Sequence, residues 1–225
     1  FYDSLHAAGK KRLNIGTGKS RAIQRKNMLE LITNLRLASN APTRVDYSGP
    51  PVAKLEAILE IAKSFKAQGR KLLIYPNFIE EGRAIHAYLN QHGIRSLRLY
   101  ASDQSVSPKT LNQVQRDEIL EQFQEDPMIV CLVASLELVS EGLTLTEASG
   151  IVRPSRPWRA ALDWQGLARA IRPGQVWTHV DVYDLVNTGT IDIYIEQLLN
   201  AKITATQAFI DRDFSKQEDL NSSSL

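Results

Sequence analysis

Between Lys71 and Asp211, short apolar runs alternate with amphipathic helical segments, and this alternation restricts the possible folds more than any other feature of the chain. "KLLIYP", "SLRLY", "MIVCLVA", "SGIVRP" and "THVDVYDLV" each read as a short strand. Helical patterns separate them. "FIEEGRAIHAYLNQHG" is closed by Gly93, and "SPKTLNQVQRDEILEQFQED" starts near Pro108 with Ser107 as its N-cap. "PWRAALDWQGLARAIR" is ended by Pro173 and Gly174, and "TIDIYIEQLLNAKITATQAFID" closes the series. A strand followed by a helix must cross over to a parallel neighbour. The pattern therefore predicts an α/β fold with a doubly wound, mainly parallel sheet and flanking helices. "MIVCLVA" is the most apolar run and is expected at the sheet centre. Ligands of such sheets bind outside the carboxyl ends of the strands, here the loops after Pro76, Ala134 and Pro154.

Upstream of this series, Leu55, Ile58, Leu59 and Ala62 form a helical stripe within Pro51 to Ala67, and Met28, Leu31, Ile32 and Leu35 form another. The prolines of "NAPTRVDYSGPP" separate the two. Residues 1–26 carry Lys10, Lys11, Arg12, Lys19, Arg21, Arg25 and Lys26 against a lone acid, Asp3. Such a segment can meet a phosphate backbone, but on this feature alone a solvated basic linker is the favoured reading. Within it, "NIGTGKS" imitates the end of a phosphate-binding loop. Gly18, Lys19 and Ser20 fit, but Leu13 stands where the motif needs its first glycine, and no buried strand precedes it. It is read as a basic loop. Three regions follow: a basic linker and helical segment over 1–50, an α/β domain over 51–212, and a tail over 213–225 with no apolar face, expected to be disordered.

With 225 residues, 43% of them hydrophobic, the chain can bury a sizeable core, and no apolar run approaches the ~20 residues of a membrane span. "FYDSLHAAGKK" has neither an initiator Met nor a signal pattern, so the chain is expected to lie inside a longer protein. The lone cysteine, Cys131, excludes an internal disulfide and suits a reducing compartment, cytosol or nucleus. Its apolar neighbours make it a small buried hydrophobe rather than a nucleophile. His6, His86, His92 and His179 show no metal-ligand spacing with Cys131, and no metal site is expected.

The stretch richest in chemistry is "DWQGLARAIRPGQ". Gln165, Arg169 and Arg172 lie at i, i+4 and i+7, one face of a helix. Leu167 and Ile171 lie on another side and are expected to anchor that helix to the sheet. Two rigid, always-charged guanidiniums beside an amide suit a phosphate or carboxylate. Spacing alone describes a solvated basic face just as well.

"QGLARAIRPGQ" resembles the sixth motif of superfamily-two helicases in the form typical of SWI/SNF-type ATPases. "KLLIYPNF" resembles that family's fourth motif, "SLRLYAS" with "QRDEILEQF" the segment after it, and "ASLELVSEGLTLTEAS" the fifth motif. "RPSRPWRAALDWQ" resembles the Trp-containing lead into the sixth, and the helical stretches from "MLELITNLRLASNAP" onward resemble those before the second lobe. The resemblance covers roughly residues 22–210. It implies the second RecA-like lobe of a two-lobe motor, with ATP and Mg²⁺ held mainly by an N-terminal lobe. Arg172 would act as arginine finger beside Arg169 and Gln165, Glu141 would lie at the nucleotide, and Gly142 would let the backbone approach nucleotide or DNA closely. Asn77, Ser102, Ser135, Thr144 and Thr146 would hold the backbone of double-stranded DNA, positioning without reading sequence. Taken alone, Ser135 also reads as a helix N-cap and Thr146 as a strand residue.

The implied partners are thus the N-terminal lobe and duplex DNA, with no membrane. The chain alone is expected to be monomeric and to hydrolyse no ATP. The location would be cytoplasmic in a prokaryote or virus and nuclear in a eukaryote. The chain departs from the family pattern at Val139, Ser140 and Thr144, at Arg159 and Ala160, and at Ile171 and Pro173, which loosens the tie to eukaryotic remodellers. A non-catalytic docking lobe, a strand-separating or RNA-directed helicase, and a self-contained enzyme built on Gly18-Lys19-Ser20 are the competing readings.

Overall fold

Among the described residues five strands form one parallel sheet in the order β2-β3-β1-β4-β5: β1 Lys71–Ile74, β2 Ser96–Leu99, β3 Cys131–Ala134, β4 Ala148–Arg153 and β5 Asp181–Asp184. The computed structural model describes residues 2–14, 21–40, 53–100, 112–136, 138, 145–158, 165–168, 171 and 174–205. Its helices are α1 Tyr2–Asn14, α2 Arg21–Asn40, α3 Ala53–Ala67, α4 Ile79–Gln91 and α5 Gln113–Glu125, with a further helix, α6, over 191–205. The expected α/β fold with a parallel sheet is the fold observed. The expected central strand is not: Cys131–Ala134 lies one place off centre and β1 occupies the middle. Both strands are flanked on two sides and covered on both faces, so apolarity marks them as interior without ranking them.

Side-chain alternation along β1 divides the core in two. Leu72 and Ile74 pack with Ile58, Phe65 and Leu89 of α3 and α4. Leu73 and Tyr75 face the opposite layer with Phe123 of α5. Period-two alternation on a sheet covered on both faces produces this division directly. Gly150 of β4 permits the fit on the first side, because a Cβ there would stand 2.3 Å from Cζ of Phe65, which is fully buried on α3. Cys131 is buried in the same layer, and burial pushes its thiol pKa up, as the sequence reading of an inert hydrophobe requires. Edge strand β5 alternates half-buried and exposed residues.

Several boundaries differ from the sequence expectation. α5 begins at Gln113, not near Pro108. Asn112 is its N-cap, accepting from the Gln115 N–H at 2.9 Å while the Gln115 side chain accepts from the Asn112 N–H at 3.1 Å. This reciprocal box satisfies two orphan donors and fixes the start. Ser107 lies outside the described residues. Asn112→Ala is expected to cost about 1 kcal/mol, read as a lower urea midpoint with unchanged slope. At the other end of α5, Lys71 of β1 donates to the carbonyls of Phe123, Gln124 and Asp126, which a cation near a helix C-terminus favours.

The basic stretch expected as a linker is helical on both sides of residues 15–20. α1 packs closely on α2, where a Cβ at Gly9 would meet Leu31, and the Tyr2 hydroxyl accepts from the Ile191 N–H at 2.6 Å. "NIGTGKS" falls outside the described residues after Asn14, and Leu13 is helical. In the segment expected as one helix over 157–172, Pro157 and Trp158 are irregular and 165–168 are helical, the intervening residues lying outside the description.

Candidate functional site

Parallel strands put all their carboxyl ends on one edge, and the order β3-β1-β4 places the reversal of strand order between β1 and β4. The loops after β1 and β4 meet there through a buried polar cluster. Asn77 donates from its side-chain amide to the Ser155 carbonyl at 2.9 Å and to the Ser155 hydroxyl at 3.2 Å. Glu81, 1% exposed on the first turn of α4, accepts from the Asn77 N–H at 3.0 Å, the Phe78 N–H at 3.4 Å and the Ser155 hydroxyl at 2.9 Å. Burial raises the Glu81 carboxyl pKa against the Lys54 charge and these hydrogen bonds, which favour the ionised form.

Beside this cluster lies a second. The Lys54 ammonium donates to Asp192 at 2.7 Å, to the Asn40 side chain at 2.6 Å and to the Pro154 carbonyl. Asp192 also accepts from the Ser39 hydroxyl at 2.8 Å and the Asn187 N–H at 3.3 Å. The end of α2, the start of α3 and the start of α6 are thereby fastened to the loop after β4.

The sixth-motif turn lies against the same edge. Gly166 is buried, and a Cβ there would stand 2.0 Å from Leu136 Cδ1, just past the end of β3. Leu167 packs into the α5-side core, while Gln165 is exposed. The turn thus turns its small and apolar residues inward and its amide outward. Leu167 anchors it as expected. Ile171 does not, being 56% exposed. Ser135 is half-buried immediately after β3, its N–H donating to the Leu99 carbonyl. Thr146 precedes β4 and so lies at the opposite end of the sheet from Ser135 and Asn77, and the structure does not bring these together. Arg169, Arg172, Glu141, Gly142, Ser102 and Thr144 lie outside the described residues.

Sequence reasoning missed Glu81, Ser155, Lys54 and Arg36. Glu81 carried one usable signal, an acid at the third position of a helix, where a side chain reaches back to the first N–H groups. The others lie in stretches that resemble family segments, but nothing local marks those particular side chains as donors or acceptors across the fold.

A family model described as the helicase conserved C-terminal domain matches residues 53–174, which span every strand from β1 to β4 and the sixth-motif turn. The chain belongs to that family. It is 28% identical over 170 residues to the DNA repair and recombination protein RDH54 of Saccharomyces cerevisiae, covering 75% of this chain and 17% of that protein. It is 29% identical over 149 residues to Helicase domino of Drosophila melanogaster, covering 66% of this chain and 4% of that protein. It spans less than a fifth of the length of the curated relatives it matches. Among solved structures, the Sulfolobus solfataricus SWI2/SNF2 ATPase C-terminal domain superposes with a TM-score of 0.69 at 20% identity, covering 89% of this chain and 80% of that one. The core domain of the same ATPase gives 0.70 at 23% identity, covering 89% and 40%. The helicase C-terminal domain thus has here the SWI2/SNF2 C-terminal fold, as the motif resemblance implied.

Proposed function

We propose that the chain is the second motor lobe of an ATP-driven translocase on double-stranded DNA. The observation that supports this best is the sixth-motif turn, seated by Gly166 against Leu136 at the carboxyl edge of β3 with Gln165 turned outward. In this reading Arg169 and Arg172, which share a helical face with Gln165 by spacing, stabilise charge on a γ-phosphoryl group bound by an N-terminal lobe, which also holds Mg²⁺. Glu141 and Gly142 lie beside that nucleotide. Phosphoryl transfer needs positioning and charge stabilisation more than covalent chemistry, which is what such a face can supply.

Ser135, just past the end of β3, together with Ser102 and Thr144, contacts phosphates of the duplex. Asn77 contributes differently. Its amide donors are engaged by Ser155, so it holds the two loops in register rather than offering those donors to a phosphate oxygen, which only accepts. Thr146, at the far end of β4, is outside this face.

Two results test the reading. Protein carrying both lobes should hydrolyse ATP, with turnover raised by duplex DNA, and should move along duplex without separating strands. The chain alone should hydrolyse none. Turnover by the chain alone, or intact protein that DNA does not stimulate, would overturn the proposal.

A further inference from the structure

We propose that Arg36, on a helix outside the family-matched residues 53–174, is a positioning residue for the loop that joins β4 to the sixth-motif turn. Three successive carbonyls of that loop are taken by side chains from three different parts of the fold. Lys54 of α3 takes Pro154, Asn77 after β1 takes Ser155, and the Arg36 Nη2 takes Arg156 at 2.8 Å. An irregular loop has no ladder to satisfy its carbonyls, so these donors fix its course.

Arg36 does more than fill one of the three positions. Its guanidinium lies 5.3 Å from the Phe78 ring centroid and 5.4 Å from that of Trp158. Phe78 closes the fourth-motif stretch as the N-cap of α4, and Trp158 ends the described part of the loop toward the sixth. One planar cation therefore ties the fourth-motif loop, the loop after β4 and α2 together. The residue is 6% exposed, and its Nε has no partner among the described residues. Burial opposes the charge, and Glu81 and Asp192 support it. An apolar side chain would fill this place without the desolvation of a guanidinium. What only arginine provides is a flat face for two rings and a donor aimed at the loop.

The geometric part of this inference stands without the motor reading, and the catalytic part rests on it. Arg36→Met removes cation and fork at similar volume. Arg36→Lys keeps the charge beside Glu81 and Asp192 and loses the plane. In ¹⁵N spectra of the chain, with the Trp158 indole assigned through Trp158→Phe, both variants should shift that indole and the amides of Ser155, Arg156 and Trp158. Resonances of β2 and α5 should stay in place. In the two-lobe protein, DNA-stimulated kcat should fall by up to about 10²-fold, the scale of a 1 Å misplacement caused from a distance, with KM for ATP unchanged.

Should Arg36→Met fail to fold, Arg36→Lys carries both measurements. Loop resonances that do not move in a folded variant overturn the positioning role. A wild-type two-lobe protein that DNA stimulates, with variants equal to it in kcat, overturns the catalytic part and leaves the motor reading standing. A wild type that DNA does not stimulate overturns the motor reading and the catalytic part with it, and the spectra then decide the geometry alone.

Discussion

Arg172→Ala in the two-lobe protein is expected to lower ATP turnover by roughly 10³-fold or more while leaving duplex binding intact, the scale reported for arginines that stabilise a transferring phosphoryl group. The expectation joins two links. In the sequence, Gln165, Arg169 and Arg172 share a helix face. In the structure, the turn carrying Gln165 sits at the carboxyl edge of β3 with its amide exposed. The loss should appear in kcat, because the guanidinium acts on charge that develops in the transition state. DNA affinity, measured by anisotropy of a labelled duplex, should be unchanged, since that binding is assigned to the hydroxyl-bearing loops. Arg169→Ala separates the two guanidiniums: the larger kcat loss identifies the principal finger. Near-normal turnover in Arg172→Ala would remove it from that role.

The largest effect on stability is expected from Lys54→Met, about 3–5 kcal/mol, the range seen when one partner of a buried ion pair is removed. Lys54 and Asp192 are 6% and 7% exposed and 2.7 Å apart. Removing the ammonium leaves a buried carboxylate with only neutral donors, and it strips a donor from the Pro154 carbonyl and the Asn40 side chain. Asp192 also receives Ser39 and Asn187, so the damage should spread through α2 and α6. The urea midpoint checks this. Replacing both partners, Lys54→Met with Asp192→Leu, should recover much of the loss, because two apolar groups leave no uncompensated charge. A single-variant loss below about 1 kcal/mol would mean that water enters and solvates Asp192.

Particular elements show how much of this was legible beforehand. The strand series was readable because each run is apolar and bounded by Gly, Pro or polar residues, and period-two burial on a covered sheet needs nothing else. The basic stretch over 1–26 was read as a linker because α1 and the start of α2 lack an apolar stripe like the one Met28, Leu31, Ile32 and Leu35 give the rest of α2. Tyr2 on Ile191, Leu31 against Gly9 and Arg36 between two rings are contacts supplied from elsewhere in the fold. The start of α5 was placed too early because Ser107 and Asn112 are both competent caps. The reciprocal Gln115 contact marks the one used.

Taken by itself, the sequence determined the fold class, the direction of the strands and the family, because periodicity and ordered motifs are local properties. It also placed Gln165 outward and Leu167 inward, since helical spacing alone separates those faces. Tertiary structure alone decided the strand order, the exposure of Ile171 and the separation of Thr146 from Ser135. It alone decided that Arg36, Lys54, Asn77 and Glu81 converge on the loop from Pro154 to Trp158. Those outcomes depend on which distant segments share a desolvated space, where a buried charge or carbonyl must find its partner across the fold, and no local pattern encodes that meeting.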